Sequence, residues 1–163
     1  MAGYSGTPLP QKLGIKAGAR VGLSKAPAAF ATTLGPLPAG AVLTEASARR
    51  GGRFDVIVAF VAAAADLPAL FAQLGPRLDP AGGFWVAWPK KKATGKAPPV
   101  PTDVTENVVR AAGLAAGLVD NKVCAIDDVW SGLRFVFRLV DRPRVVRVAK
   151  PRRTAGGIEA LKG

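Results

Sequence analysis

Apolar residues in this chain fall into short dense runs punctuated by Gly and Pro, and the runs alternate between strand-like and helix-like spacing. Residues 1–18 read as a leader with a short helix around Pro10–Leu13, ended by Gly14 and Gly18. Ala19–Leu23 predicts a first strand, and Pro27 opens a helix that stops at Gly35-Pro36. Ala41–Thr44 predicts a short second strand, followed by a loop at Arg49–Arg53. Phe54–Val61 is β-branched and almost unbroken, the signature of a strand covered on both faces. Asp66 can cap the next helix, whose Leu67, Leu70, Phe71 and Leu74 share one stripe before Gly75-Pro76. Asp79–Gly83 reads as a turn and Phe84–Trp88 as another buried strand.

Lys90–Pro101 is a loop rich in Lys, Gly and Pro. Asp103-Val104-Thr105-Glu106 has capping-box spacing and predicts a helix to about Ala116, ended by Gly117. Leu118–Ile126 and Leu133–Val140, joined by Asp127–Gly132, predict a hairpin. Strand–helix alternation closed by a hairpin makes this an α/β chain. The expected architecture is a Rossmann-like three-layer sandwich with a mostly parallel sheet of about six strands, one of them antiparallel. Residues 1–142 form the expected domain, and residues 143–163 a basic, flexible tail.

Composition narrows the chemistry. With 49% hydrophobic and 21% charged residues, the chain is globular, not disordered. Its single cysteine, Cys124, excludes an internal disulfide and a cysteine-based zinc site. The absence of histidine excludes Ser-His-Asp and Cys-His catalysis and removes the commonest transition-metal ligand; no metal site is expected. The start lacks a signal-peptide pattern, and the longest apolar run, Val56–Ala65, is too short for a membrane span. The expected location is cytoplasmic, with no membrane partner. The net charge of +12 is uneven, with 7 basic and 2 acidic side chains in residues 141–163.

Ligands of open parallel sheets bind at the carboxyl ends of the strands, near the point where strand order reverses. Four segments should meet on that edge: Ser24-Lys25, Val61-Ala62, Trp88–Lys92 and Asp127–Gly132. Ser24-Lys25 can hold an anion at the start of a helix, or simply cap it. Lys90, Lys91 and Lys92 can grip phosphates while Trp88 stacks a ring, or they keep a loop soluble while Trp88 fills the core. Trp130, Ser131 and Arg134 complete the candidate ligand or anion site. Asp127 and Asp128 suggest acid–base or cation chemistry, but adjacent turn residues rarely aim two carboxylates at one point, and a solvated turn explains them better. Cys124 reads as a small buried hydrophobe. No catalytic residue emerges, and no GxGxxG or GxxxxGK[ST] string supports a dinucleotide or P-loop site.

Some longer strings are similar to a small bacterial family known only as a domain of unknown function. They are Tyr4-Ser5-Gly6-Thr7-Pro8-Leu9, Gly83-Phe84-Trp85-Val86-Ala87-Trp88-Pro89-Lys90-Lys91 and Val119-Asp120-Asn121-Lys122-Val123-Cys124-Ala125. This likeness covers residues 1–142 and implies a cytoplasmic Rossmann-like protein without implying an activity. In layout the chain also resembles class I S-adenosylmethionine-dependent methyltransferases in degenerate form. That resemblance implies a cofactor ribose held by an acid after the second strand, where Glu45 sits. Two features depart from it: the first turn, Leu23-Ser24-Lys25-Ala26-Pro27, has no glycine, and Val61-Ala62-Ala63 replaces the Asn/Asp-Pro-Pro-aromatic string of amino-methylating members. The residues themselves predict no cofactor. The leading expectation is therefore a non-catalytic binding or regulatory module. Its basic rim and tail, centred on Lys90–Lys92, would engage an anionic partner, either nucleic acid or an acidic protein. The alternative is a divergent methyltransferase-like enzyme.

Overall fold

The structure is a computed structural model that describes residues 7–46 and 52–138. Helix α1 (Leu9–Lys12) leads into β1 (Arg20–Ser24), α2 (Phe30–Leu34), β2 (Val42–Glu45) and β3 (Phe54–Phe60). A 3-10 turn (Ala64–Asp66) opens α3 (Leu67–Leu74), and β4 (Leu78–Pro89), α4 (Glu106–Ala115), β5 (Leu118–Ala125) and β6 (Trp130–Phe137) follow. The six strands form one sheet in the order β2-β1-β3-β4-β6-β5. β2, β1, β3 and β4 pair in parallel, and β6 runs antiparallel between β4 and β5. The expected Rossmann-like sandwich is the observed fold.

Burial on both faces is written into β3 and β4. Ile57, Ala59 and Val61 enter the core beneath α3 and α4, together with Phe84, Val86 and Trp88. Val56, Val58, Phe60, Trp85 and Ala87 enter the opposite core under α1 and α2. Phe54 breaks this parity and joins the α3–α4 side. The register with β4 shifts between Phe54 and Val56, and such a bulge sends the next side chains to the other face. Phe54 lies across Gly22 of β1, where a Cβ would meet its ring at 2.7 Å. Arg77 covers the outer face of that ring, 4.8 Å from its centroid.

The second core has short covers. α1 and α2 span 4 and 5 residues, so the leader supplies much of that layer. Leu9, Leu13 and Ile15 are all buried. Trp85, fully buried, donates its indole N–H to the Leu13 carbonyl at 3.0 Å, which satisfies both groups away from water.

Several local expectations are corrected. Asp79–Gly83 is not a turn between elements but part of β4, whose residues 79–82 bulge out between the Leu78–Phe54 and Gly83–Val56 pairs. Asp66 makes no side-chain cap; the 3-10 turn brings the chain into α3 instead. The capping box is displaced as well. Thr105 caps α4 by accepting from the Val108 amide at 3.2 Å. Asp103 instead accepts from the Ala64 amide at 2.8 Å. The second helix starts at Phe30, three residues after Pro27. β6 begins three residues earlier than the sequence suggests, because Trp130 pairs with Pro89. The tail, residues 143–163, lies outside the described residues. Among the described residues no helix is long and apolar enough to cross a membrane.

Gly113 marks the tightest helix–sheet approach, since the ring of fully buried Phe135 occupies the place of its missing Cβ. Gly113→Ala would gain about 1 kcal/mol of helix propensity but overpack by about 1–3 kcal/mol. A lower urea midpoint at unchanged m-value is expected. A midpoint at or above that of the parent would mean that α4 does not seat on Phe135.

Candidate functional site

The chain runs from β1 outward to β2 and then returns to the other side of β1 as β3, so strand order reverses between β1 and β3. A cleft of about 930 Å³ opens there, at the carboxyl edge. Ser24 and Lys25 enter it from the end of β1, Glu45 and Ala46 from the end of β2. Phe60 to Ala63 supply the β3 end, Asp66, Leu70 and Gln73 the wall on and before α3, and Trp130 the far side.

Pairing fixes the polar groups against one another. Glu45 is the register partner of Leu23, one residue before Ser24, and the Ala46 amide donates to the Leu23 carbonyl at 2.7 Å. Ser24 in turn pairs with Ala59 of β3. Lys25 then turns the chain with φ +55°, and it is the one described non-glycine residue with positive φ. Left-handed backbone costs an L-residue about 1–2 kcal/mol. The glycine-free turn thus has a glycine-like conformation, with an exposed ammonium at its apex.

Aromatic packing seats Trp130. Its ring meets Phe60 edge-to-face at 5.1 Å, and Phe60 meets Phe30 at 5.0 Å in the same manner. Asp127 accepts from the Val129 and Trp130 amides, each at 2.8 Å, which fixes the turn that delivers the indole. Asp128 accepts from the Thr94 hydroxyl at 2.8 Å. Asp127 is therefore spent on its own turn and Asp128 on the loop after β4, and neither lines the cleft.

The candidate residues do not all converge. Ser24, Lys25 and Trp130 meet in the cleft, and Glu45 joins them. Trp88 is 6% exposed and belongs to the α3–α4 core. With Lys90 and Lys91 it borders a second hollow of about 570 Å³, walled by Pro99 to Glu106. Lys92 is exposed beside it, and Ser131 pairs with Trp88 along the strand. Arg134 lies at the other end of the sheet, in an amino-edge pocket with Asp55 and Asp79. It donates to the Asn121 side chain at 3.3 Å, and burial pushes its pKa down. Burial pushes the Cys124 thiol up, with Lys12 and Lys122 opposing, in keeping with a half-buried apolar role. Asp66, Leu70 and Gln73 were not foreseen. They sit on a wall whose orientation depends on how α3 packs, and spacing alone carries no signal of that.

No family model and no curated protein matches the chain, so the likeness to a family of unknown function gains no support from that side. Solved structures do match. A ribosomal protein L11 methylase from Lactobacillus delbrueckii subsp. bulgaricus superposes with TM-score 0.54 at 15% identity, over 80% of this chain and 75% of that one. A SAM dependent methyltransferase from Aquifex aeolicus gives 0.52 at 14%, over 77% and 85%. TrmN from Thermus thermophilus gives 0.52 at 13%, over 80% of this chain but 47% of its own, so the chain spans about half of that protein. These likenesses establish the fold as that of methyltransferases. They also overturn the leading expectation of a non-catalytic module and favour its alternative.

The turn at Lys25 can be tested on its own. Lys25→Gly should leave stability unchanged or raise it by up to about 1 kcal/mol, whereas Lys25→Val should lose about 1–2 kcal/mol. Thermal denaturation of the pair reads this difference, and equal midpoints would mean that the turn is not left-handed in solution.

Proposed function

We propose that the switch-point cleft binds S-adenosylmethionine and that the domain is a divergent methyltransferase. One observation carries this reading. The tip of β1, with its left-handed Lys25 turn, and the tip of β2, with Glu45, line one cleft at the strand-order reversal of a methyltransferase-like sheet. The donor set suits the group. A carboxylate at Glu45 can accept from both ribose hydroxyls, and the Lys25 ammonium complements the carboxylate of the amino-acid end. Ala62, Ala63 and Leu70 offer apolar surface for a flat base. The cofactor, when bound, supplies an electrophilic methyl on a sulfonium.

What remains for the chain is to align the acceptor and exclude water, and alignment alone can contribute several kcal/mol to a displacement. That demand fits a chain without histidine. Trp130, packed on Phe60, closes the far side, and Asp66 lines the cleft just before α3. The run Val61-Ala62-Ala63 gives no support to amino-group methylation of the Asn/Asp-Pro-Pro-aromatic kind. The likeness of residues 1–142 to a bacterial family of unknown function belongs to the same proposal. A cytoplasmic place of action accords with it.

Calorimetry should show binding of S-adenosylmethionine and of its demethylated product. Glu45→Ala, which removes hydrogen bonds to a charged acceptor, should weaken both by about 10- to 100-fold. No heat with either ligand on the folded parent protein would overturn the reading.

A further inference from the structure

The loop from Lys90 to Val104 is tied down on both sides of the cleft. At its start, the Lys90 amide donates to the Val129 carbonyl at 2.7 Å. Thr94 donates its amide and its hydroxyl to Asp128, at 2.9 and 2.8 Å. These bonds fix the loop beside Trp130. At its end, Thr102 donates its hydroxyl to the Ala62 carbonyl at 2.6 Å, and Asp103 accepts from the Ala64 amide at 2.8 Å. Ala62 lines the cleft. A loop this rich in Lys, Gly and Pro is thus held against both walls of the proposed reaction site.

Its charges are left over. The described residues contain three ion pairs, Arg20–Asp55, Arg110–Glu106 and Arg110–Asp120, and none involves Lys90, Lys91, Lys92 or Lys96. The acids nearby are otherwise engaged: Asp127, Asp128 and Asp103 by amides and a hydroxyl, Glu106 by Arg110 at 2.6 Å. Among the described residues lining the cleft, Glu45 and Asp66 are the carboxylates and Lys25 the cation. Four ammonium groups in seven residues of a loop anchored at Lys90 and Thr94, none in an ion pair among the described residues, suit a row of phosphates. The neighbouring indole suits a base, which an acidic peptide would not supply.

We propose that the methyl acceptor is a single-stranded nucleic acid. Its phosphates lie along Lys90–Lys96, and one base turns past Trp130 into the cleft. This inference rests on the methyltransferase reading. In the transfer, a bond forms between a ring N–H nitrogen of the base, not an exocyclic amino group, and the methyl carbon. The carbon–sulfur bond breaks, its electron pair stays on sulfur, and the nitrogen's proton leaves to water.

Fluorescence anisotropy of the full chain with a labelled single strand of about 12 nucleotides tests the surface. Log affinity should fall with log salt at a slope of about −2 to −3, as for three or four contacted phosphates. The combined Lys90→Gln, Lys91→Gln and Lys92→Gln variant should lose about tenfold or more in affinity and flatten that slope by about 2. Its heat of S-adenosylmethionine binding should be unchanged. A variant with Arg144, Arg147, Lys150, Arg152 and Arg153 changed to Gln separates the loop from the tail. Three results would overturn the inference: salt-insensitive binding, binding abolished by the tail variant but untouched by the loop variant, or polyglutamate bound as tightly at equal salt. Strand binding without any cofactor heat would instead sink the methyltransferase reading and leave the surface standing. Transfer of a labelled methyl to the strand by the parent protein, lost in the loop variant, is the result expected if both hold.

Discussion

Parallel pairing of β1 with β3 is the constraint from which the remaining architecture follows. Because β2 pairs on the outer side of β1, the chain must cross back over β1 before β3 can form. The crossovers on either side of that reversal place α2 and α3 on opposite faces, so their covers part above the strand ends. Val21, Leu23 and Ser24 align with Val56, Val58 and Ala59 without a shift, which holds the two strand tips level. A cleft at this place is a property of the topology. Its chemistry is a property of the few residues that happen to stand at the tips.

That division explains what can be read from the sequence. β3 is legible because a β-branched run buried on both faces admits few alternatives, and the glycines and prolines around it mark its ends. The start of β4 is not legible, because Pro80, Gly82 and Gly83 have turn chemistry. They belong to the strand because Leu78 and Gly83 pair with β3 on either side of a bulge that no local pattern reveals. The capping box fails for a related reason: Asp103 finds a better partner in an amide 39 residues away. Local propensity ranks the options, and tertiary contacts choose among them.

The site shows the same split. Ser24, Lys25, Glu45 and Trp130 follow from topology, since each lies at or next to the carboxyl end of its strand or at the turn leading into β6. Trp88 does not, because eight consecutive buried residues in β4 leave its face undecided until Trp85 has found the Leu13 carbonyl. With Trp85 on the α1 side, Trp88 must lie on the other. Arg134 is misplaced by strand direction. It stands four residues into antiparallel β6, and at about 3.4 Å per residue that carries it over 10 Å from the edge. Adjacency in sequence to Trp130 and Ser131 thus says little about which end of the sheet a side chain serves.

Lys25 joins the structural and chemical arguments. The turn after β1 needs a left-handed residue, and glycine would adopt that backbone without strain. A lysine there retains about 1–2 kcal/mol of strain that the surrounding pairing must hold. Strain of this kind clusters at functional sites, and here the side chain brings a positive charge to the mouth of a cleft whose other ionisable groups, among the described residues, are Glu45 and Asp66. A purely structural turn would gain nothing from the exchange. Under the proposed cofactor reading, Lys25 is the one cation among the described lining residues that can meet the amino-acid carboxylate, beside Glu45 for the ribose hydroxyls.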